Sequence, residues 1–347
     1  MIPLLGRPDA PWLPFVLAIC ACSSSGARPD ATDAGGDGAS VRIDGGVSAQ
    51  PDDAGADAGP GRASCVGLPP TCGPAGTADC CASPPVAGGT CNRSNDARFP
   101  ATVSDFRLDA FEISVGRYRK FTAAYPGNKP KAGAGKNPND PSDKGWDPAW
   151  DGRLPATQQL AVANVKCMAP IMFSDVPGPN DGKPVNCLDW YTAQAFCIWD
   201  GGRLPTEAEW NYAAAGGSEQ RAYPWSNPPS SDVVDATFAV FAPPATAPAA
   251  GGSKSPKGDG KYGHADLAGN VWEWTVDNYT VVSGAPYGST YSVNPCKDCA
   301  DRGAGTSRVI RGGAYDANGP TLGTIVRNDQ KPDGRAPQIG ARCARSP

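Results

Sequence analysis

Histidine is almost absent from this chain: a single one, His264, occurs in 347 residues. Sites built on several imidazoles, such as catalytic iron or zinc centres, are excluded. Lysine and arginine number 31 against 35 acidic residues, the net charge is −4, and no basic run exists. That excludes the basic face that nucleic acid requires. No apolar stretch reaches the roughly 20 residues of a spanning helix. Aromatics are missing between Phe15 and Phe99, whereas eight of the nine tryptophans fall between Trp146 and Trp274. A segment so poor in large apolar side chains cannot bury enough surface to offset its ordering entropy. One core of about 250 to 280 residues remains, and a chain of that size buries about three quarters of its unfolded surface.

What abounds is glycine, proline and cysteine, at 43, 37 and 13 residues. Thirteen cysteines predict an exported, disulfide-bonded protein. Residues 1–21 read as a signal peptide: Arg7 precedes the apolar run Ala10–Ile19, which is too short to span a bilayer. The run leads into Ile19-Cys20-Ala21-Cys22-Ser23, which resembles a bacterial lipobox. Cys22, preceded by small Ala21, is the expected lipidation site. Several acyl chains, each adding about 0.8 kcal/mol per buried CH₂, would hold the protein on the bilayer. The expected location is the bacterial cell envelope, at the outer membrane or cell surface.

Residues 22–64 are Ala, Gly, Asp, Pro and Ser with scattered charges, and read as a flexible tether. Residues 65–100 form a collar with Cys65, Cys72, Cys80, Cys81 and Cys91. Zinc would want paired Cys-x-x-Cys spacing or histidine there, so disulfides are expected. Five is odd, so one cysteine pairs with the main domain or stays free.

The main domain, 101–347, carries three helix signatures. Ser114 caps a helix whose Val115, Tyr118, Phe121 and Ala124 face inward, ended by Pro126-Gly127. A second starts near Asp189, buries Trp190, Ala193, Phe196 and Cys197, and stops at Asp200-Gly201-Gly202. The third opens on the capping box Thr206-x-x-Glu209 and stops at Gly216-Gly217. Arg308–Arg311 reads as a strand, with Gly312-Gly313 as the turn after it. Much of the rest must be loop.

Four segments, in order, carry a specific resemblance. They are Gly202-Arg203-Leu204-Pro205-Thr206-Glu207-Ala208-Glu209-Trp210, Leu267-Ala268-Gly269-Asn270-Val271-Trp272-Glu273-Trp274, Arg308-Val309-Ile310-Arg311-Gly312-Gly313 and Gly340-Ala341-Arg342-Cys343. Together they resemble the formylglycine-generating enzyme (sulfatase-modifying factor) family over roughly 101–347. The resemblance implies an α+β fold, a variant of the C-type lectin fold with little regular secondary structure. Function must still be argued from the site.

In the family's oxidases, two cysteines a few residues past the Gly-Gly turn hold copper(I) as thiolates and convert a sulfatase cysteine to formylglycine. Soft thiolate suits Cu(I). Here Ala317 and Leu322 align with those positions, and no cysteine lies between Cys299 and Cys343. No copper and no catalytic residue are therefore expected. Relatives that form sulfur–carbon bonds use several histidines, which this chain lacks. A triad around His264 and Asp266 is conceivable, but a lone loop histidine reads as structural.

Trp272 and Trp274 could cradle a ligand, yet alternating aromatics on a buried strand read as core. Cys296-Lys297-Asp298-Cys299 reads as a local disulfide rather than a redox or zinc motif. Cys197 and Cys343 match cysteines that the family joins, which leaves Cys167 and Cys187 as a pair. The resemblance also implies a structural calcium held by the side chains of Asp266 and Glu273 and the carbonyls of Gly269 and Val271. Such a set of hard oxygens suits calcium. The alternative is that Asp266 caps a turn and Glu273 makes a buried salt bridge.

Three functions follow. One is a non-catalytic module, on a surface tether, that binds a peptide, glycan or envelope protein. For it, the loops Lys129–Trp150 and Ala242–Gly260 could supply variation on a rigid core. The second is a formylglycine-generating oxidase, or related modifying enzyme, with an unrecognised site. The third is a structural envelope lipoprotein. The missing cysteine pair favours the first over the second.

Overall fold

A computed structural model describes residues 62–280, 291–303 and 305–347. Among these residues, four short helices and ten short strands are separated by long irregular stretches. The helices are α1 (Val115–Ala124), α2 (Gln158–Asn164), α3 (Trp190–Trp199) and α4 (Glu207–Ala214). Each begins at a residue whose side chain can accept a backbone N–H. Ser114 Oγ accepts from Arg117 N at 3.3 Å, and Asp189 Oδ1 from Thr192 N at 2.8 Å. Thr206 and Glu209 form the full capping box, with bonds of 3.0 and 2.8 Å. On α1, Val115, Tyr118 and Phe121 are buried, but Ala124 is exposed. Tyr125, just past the helix, is buried in the core. Helix α2 has no counterpart among the sequence signatures; Thr157 caps it, and only Ala161 of its residues is buried.

The strands are β1 (Pro85–Val86), β2 (Gly89–Asn92), β3 (Pro100–Val103), β4 (Phe106–Leu108), β5 (Trp272–Asn278), β6 (Cys296–Lys297), β7 (Arg308–Arg311), β8 (Asn328–Gln330), β9 (Ile339–Gly340) and β10 (Ala344–Arg345). They form three small sheets, ordered β1-β4-β10, β2-β3-β6 and β8-β7-β5-β9. All seven residues of β5 are buried. Trp274 Nε1 donates to Leu188 O at 2.9 Å, so the paired tryptophans belong to the core.

The collar is woven into the domain. Its β1 and β2 pair with β4 and β3. Cys65 bonds Cys81 and Cys72 bonds Cys80, while Cys91 is free and buried. Burial pushes the Cys91 thiol up to about 11.

The end of the tether is also part of the fold, contrary to its composition. Ser64 is fully buried and Arg62 nearly so. Arg62 Nη2 donates to Asp109 Oδ1 at 2.7 Å, and Ser64 N to Asp200 Oδ1 at 2.9 Å. Arg117 bridges the same carboxylates, at 2.9 Å to Asp109 and 2.6 Å to Asp200, and its Nε donates to Ser64 Oγ. Arg345, beside the C-terminus, joins both aspartates too. Burial alone would raise Asp109, but Arg345, Arg117 and Arg62 hold it well below the usual carboxylate range.

The loop 129–150 is not a free arm. Arg302 closes on Asp143 at 2.7 Å and Asp140 at 3.5 Å, and Trp146 is buried. Among the described residues, no helix is long and apolar enough to cross a membrane.

Candidate functional site

Strand β7 delivers the Gly312-Gly313 turn, where φ is +99° and +76°. The close approach there requires glycine, because a Cβ on Gly313 would sit 2.5 Å from Leu322 Cδ2. The chain then curls from Ala314 to a single tight turn at Gly319–Leu322, which Asn318 caps by accepting from Thr321 N.

Ala317 and Leu322 end up in one apolar cluster with Tyr223, Ala239, Phe241 and Ala268. Leu322 is buried and Ala317 half-buried. The cluster is tied by the backbone, with Ala242 N donating to Ala317 O at 3.0 Å, and by Tyr223 OH donating to Gly319 O at 3.3 Å. Beside it stands an aromatic column. Tyr223 stacks on Trp225 at 5.2 Å, and Trp225 on Phe238 at 5.3 Å, both nearly parallel. Neither Ala317 nor Leu322 has a side-chain lone pair, so neither can hold a metal or take a proton.

A second corner surrounds Asp266–Glu273. Glu273 is fully buried and clasped by Arg342: Nε and Nη2 donate to its two oxygens, each at 2.7 Å. Trp210 Nε1 adds a third bond at 2.8 Å. Arg342 directs its other donors to the carbonyls of Asp109, Ala110 and Ala265. This is the buried salt bridge that the sequence offered as an alternative. Glu273, one of the two carboxylates in the calcium set that the resemblance implies, is engaged by a guanidinium and an indole. Asp266 keeps one bond, from Gly252 N at 2.5 Å, and burial pushes its carboxyl up to about 6. Its neighbour is Glu112, which burial and then Asp266 push well above the usual range. Glu112 had no signal in the sequence, since a lone carboxylate before a helix cap reads as surface.

The sulfatase-modifying factor enzyme 1-like domain family matches residues 76–347. This chain belongs to that family. The match begins inside the collar, in keeping with the strands β1 and β2 that the collar lends to the sheets. The formylglycine-generating enzyme of Mus musculus is 28% identical over 287 residues, spanning 72% of this chain and 69% of its own. That of Streptomyces coelicolor is 34% identical over 186 residues, 49% of this chain and 55% of its own. The inactive C-alpha-formylglycine-generating enzyme 2 of Mus musculus is 32% identical over 275 residues, 71% of this chain and 76% of its own. Among solved structures, PvdO from Pseudomonas aeruginosa superimposes with a TM-score of 0.51 at 18% identity, over 76% of this chain and 93% of that one, a likeness of fold alone.

The other sequence-derived residues fall as follows. Cys197 bonds Cys343, tying α3 to the C-terminus, with Cα atoms 5.4 Å apart. Cys167 bonds Cys187, and Cys296 bonds Cys299. His264 is buried, with Nε2 on Leu108 O at 3.1 Å, and burial pushes it down to about 3. An imidazole so buried and neutral is structural. Asp266 and Glu273 share one corner but not one partner. Cys22 lies outside the described residues.

Proposed function

We propose that this family member is a non-catalytic binding module of the bacterial cell envelope, anchored through a lipidated Cys22. One observation carries the reading. The two positions that align with the copper-holding cysteines are Ala317 and Leu322, and they pack with Tyr223, Phe241 and Ala268 into an apolar wall. Soft thiolates cannot be replaced there by any rotamer change. A relative at 32% identity that carries the word inactive in its name is consistent with a fold retained without turnover.

The surface at this site favours a peptide over a glycan. Sugars stack on free aromatic faces, whereas Trp225 is already stacked against both Tyr223 and Phe238. Its edge and the apolar wall beside it suit the side chains of an extended peptide or of an envelope protein. The domain's cysteines other than Cys91 are in disulfides, which leaves no accessible thiol pair among the described residues.

The purified protein is incubated with a sulfatase-motif peptide, Cu(I) and oxygen, and the peptide cysteine is followed by mass spectrometry. No conversion to the aldehyde is expected. Conversion that disappears when any one cysteine of this chain is replaced would establish the oxidase instead.

A further inference from the structure

Arg93 is a buried guanidinium without a counter-anion. It is 3% exposed and makes no ion pair among the described residues. Its Nη2 donates to Val293 O at 2.8 Å and to Asn294 Oδ1 at 3.5 Å, and its Nε has no partner among the described residues. Its Cζ lies 4.1 Å from the centre of the Tyr291 ring. The remaining donor, Nη1, is aimed at Cys299 Sγ, 3.7 Å away. A buried cation without an anion is costly. A thiolate on Cys299 would supply that anion.

The second sulfur of the Cys296–Cys299 bond has a donor too, since Cys299 N donates to Cys296 Sγ at 3.3 Å. Lys297 is exposed between the two cysteines, and Asp298 turns its carboxylate onto Ser104 N and Oγ, at 2.6 and 2.8 Å. Cations and N–H donors at both sulfurs favour thiolates, which are the reactive form and the better leaving groups. Access is one-sided: Cys299 is half-buried, whereas Cys296 is 3% exposed. The free thiol cannot take part. Ala101 stands between Cys91 and Cys296 across the three strands, which sets their backbones about 10 Å apart, beyond the reach of a disulfide.

We propose that Cys296–Cys299 is a thiol–disulfide exchange site that takes up the dithiol of a partner polypeptide. A partner thiolate attacks the accessible Cys299 Sγ. A mixed disulfide forms there, and the Cys296–Cys299 bond breaks with Cys296 leaving as a thiolate held by Cys299 N–H. The partner's second thiolate then attacks the partner sulfur of the mixed disulfide and expels Cys299 as a thiolate beside Arg93. The partner loses two electrons and gains a disulfide, and the cysteine pair is reduced to the dithiol state. The two protons of the partner thiols pass to Cys296 and to solvent. One bond is consumed per partner, so the exchange is stoichiometric. It does not depend on whether the Ala317–Leu322 wall binds a peptide.

The test uses the intact protein, equilibrated in glutathione buffers of graded redox poise, quenched with an alkylating reagent and peptide-mapped. Cys296–Cys299 should open under milder reduction than the other four disulfides. A reduced synthetic peptide with two cysteines should be oxidised to its disulfide mole for mole with the protein. Cys296→Ser should oxidise none, and Cys91→Ser should behave as wild type. In the reduced protein, Arg93→Gln should shift the pH profile of Cys299 alkylation upward and slow the reaction at pH 7 about tenfold, whereas Arg93→Lys should restore part of the rate. The proposal is overturned if this bond opens together with the other four or after them, if the peptide stays reduced, or if Arg93→Gln leaves the pH profile unchanged. Should Arg93→Gln fail to fold, the order of opening and the oxidation of the peptide by wild type decide the matter.

Discussion

Removing Arg62 should destabilise the protein less than removing Asp109, although each is one end of the same 2.7 Å ion pair. The network at the N-terminal edge holds three guanidiniums, Arg62, Arg117 and Arg345, against two carboxylates, Asp109 and Asp200. Arg62→Ala leaves two of each, and Asp109 still has Arg117 and Arg345. The loss is then one charge-assisted hydrogen bond, about 1.5–3 kcal/mol, toward the lower end because Asp109 remains paired. Asp109→Ala leaves three buried guanidiniums facing Asp200 alone. Breaking a buried pair in that way costs about 3–5 kcal/mol. Since 1 kcal/mol moves the melting temperature of domains near this size by about 2–4 °C, the two variants should be separable by calorimetry. Acid should mimic the larger loss. Asp109 and Asp200 are both held below their ordinary value, against the upward push of burial, by the surrounding arginines. Their stabilisation is present above the unfolded value of about 3.9 and is lost as pH falls through the native values. Equal melting temperatures for the two variants, or a larger drop for Arg62→Ala, would refute the charge-balance argument.

Two further outcomes are expected. Replacing Cys197 and Cys343 by Ala should cost about 2–5 kcal/mol in urea unfolding, because the bridge closes a loop of 146 residues; an unchanged midpoint would count against a stabilising role. Radiolabelled palmitate fed to cells making the protein should label it and be lost on Cys22→Ala, whereas absence of label in the unaltered protein would remove the anchor from the proposed function.

The helix starts were legible because a cap is a local event. Ser114, Asp189 and Thr206 each accept from a backbone N–H three residues on, so a window of four residues contains the whole interaction. The Arg308–Arg311 strand and its glycine turn were readable for the same reason. Helix α2 was not, since only one of its residues is buried and it shows no apolar stripe. Arg62 and Ser64 were misassigned because their neighbours are tether-like, while their partners Asp109 and Asp200 lie 47 and 136 residues away. The Glu273–Arg342 pair was legible only as an alternative, since Arg342 is 69 residues downstream.

Residue types and their local spacing determined a great deal by themselves. They set the family motifs, the α+β fold, the helix caps, the cysteine-rich start and the lack of thiols near Gly312-Gly313. Only the tertiary structure decided which charges meet: Arg342 with Glu273, Arg62 with Asp109, and Glu112 with no cation among the described residues. Spacing along a chain limits what neighbours can do, whereas a buried charge finds its partner through a fold that brings distant segments within 3 Å of each other.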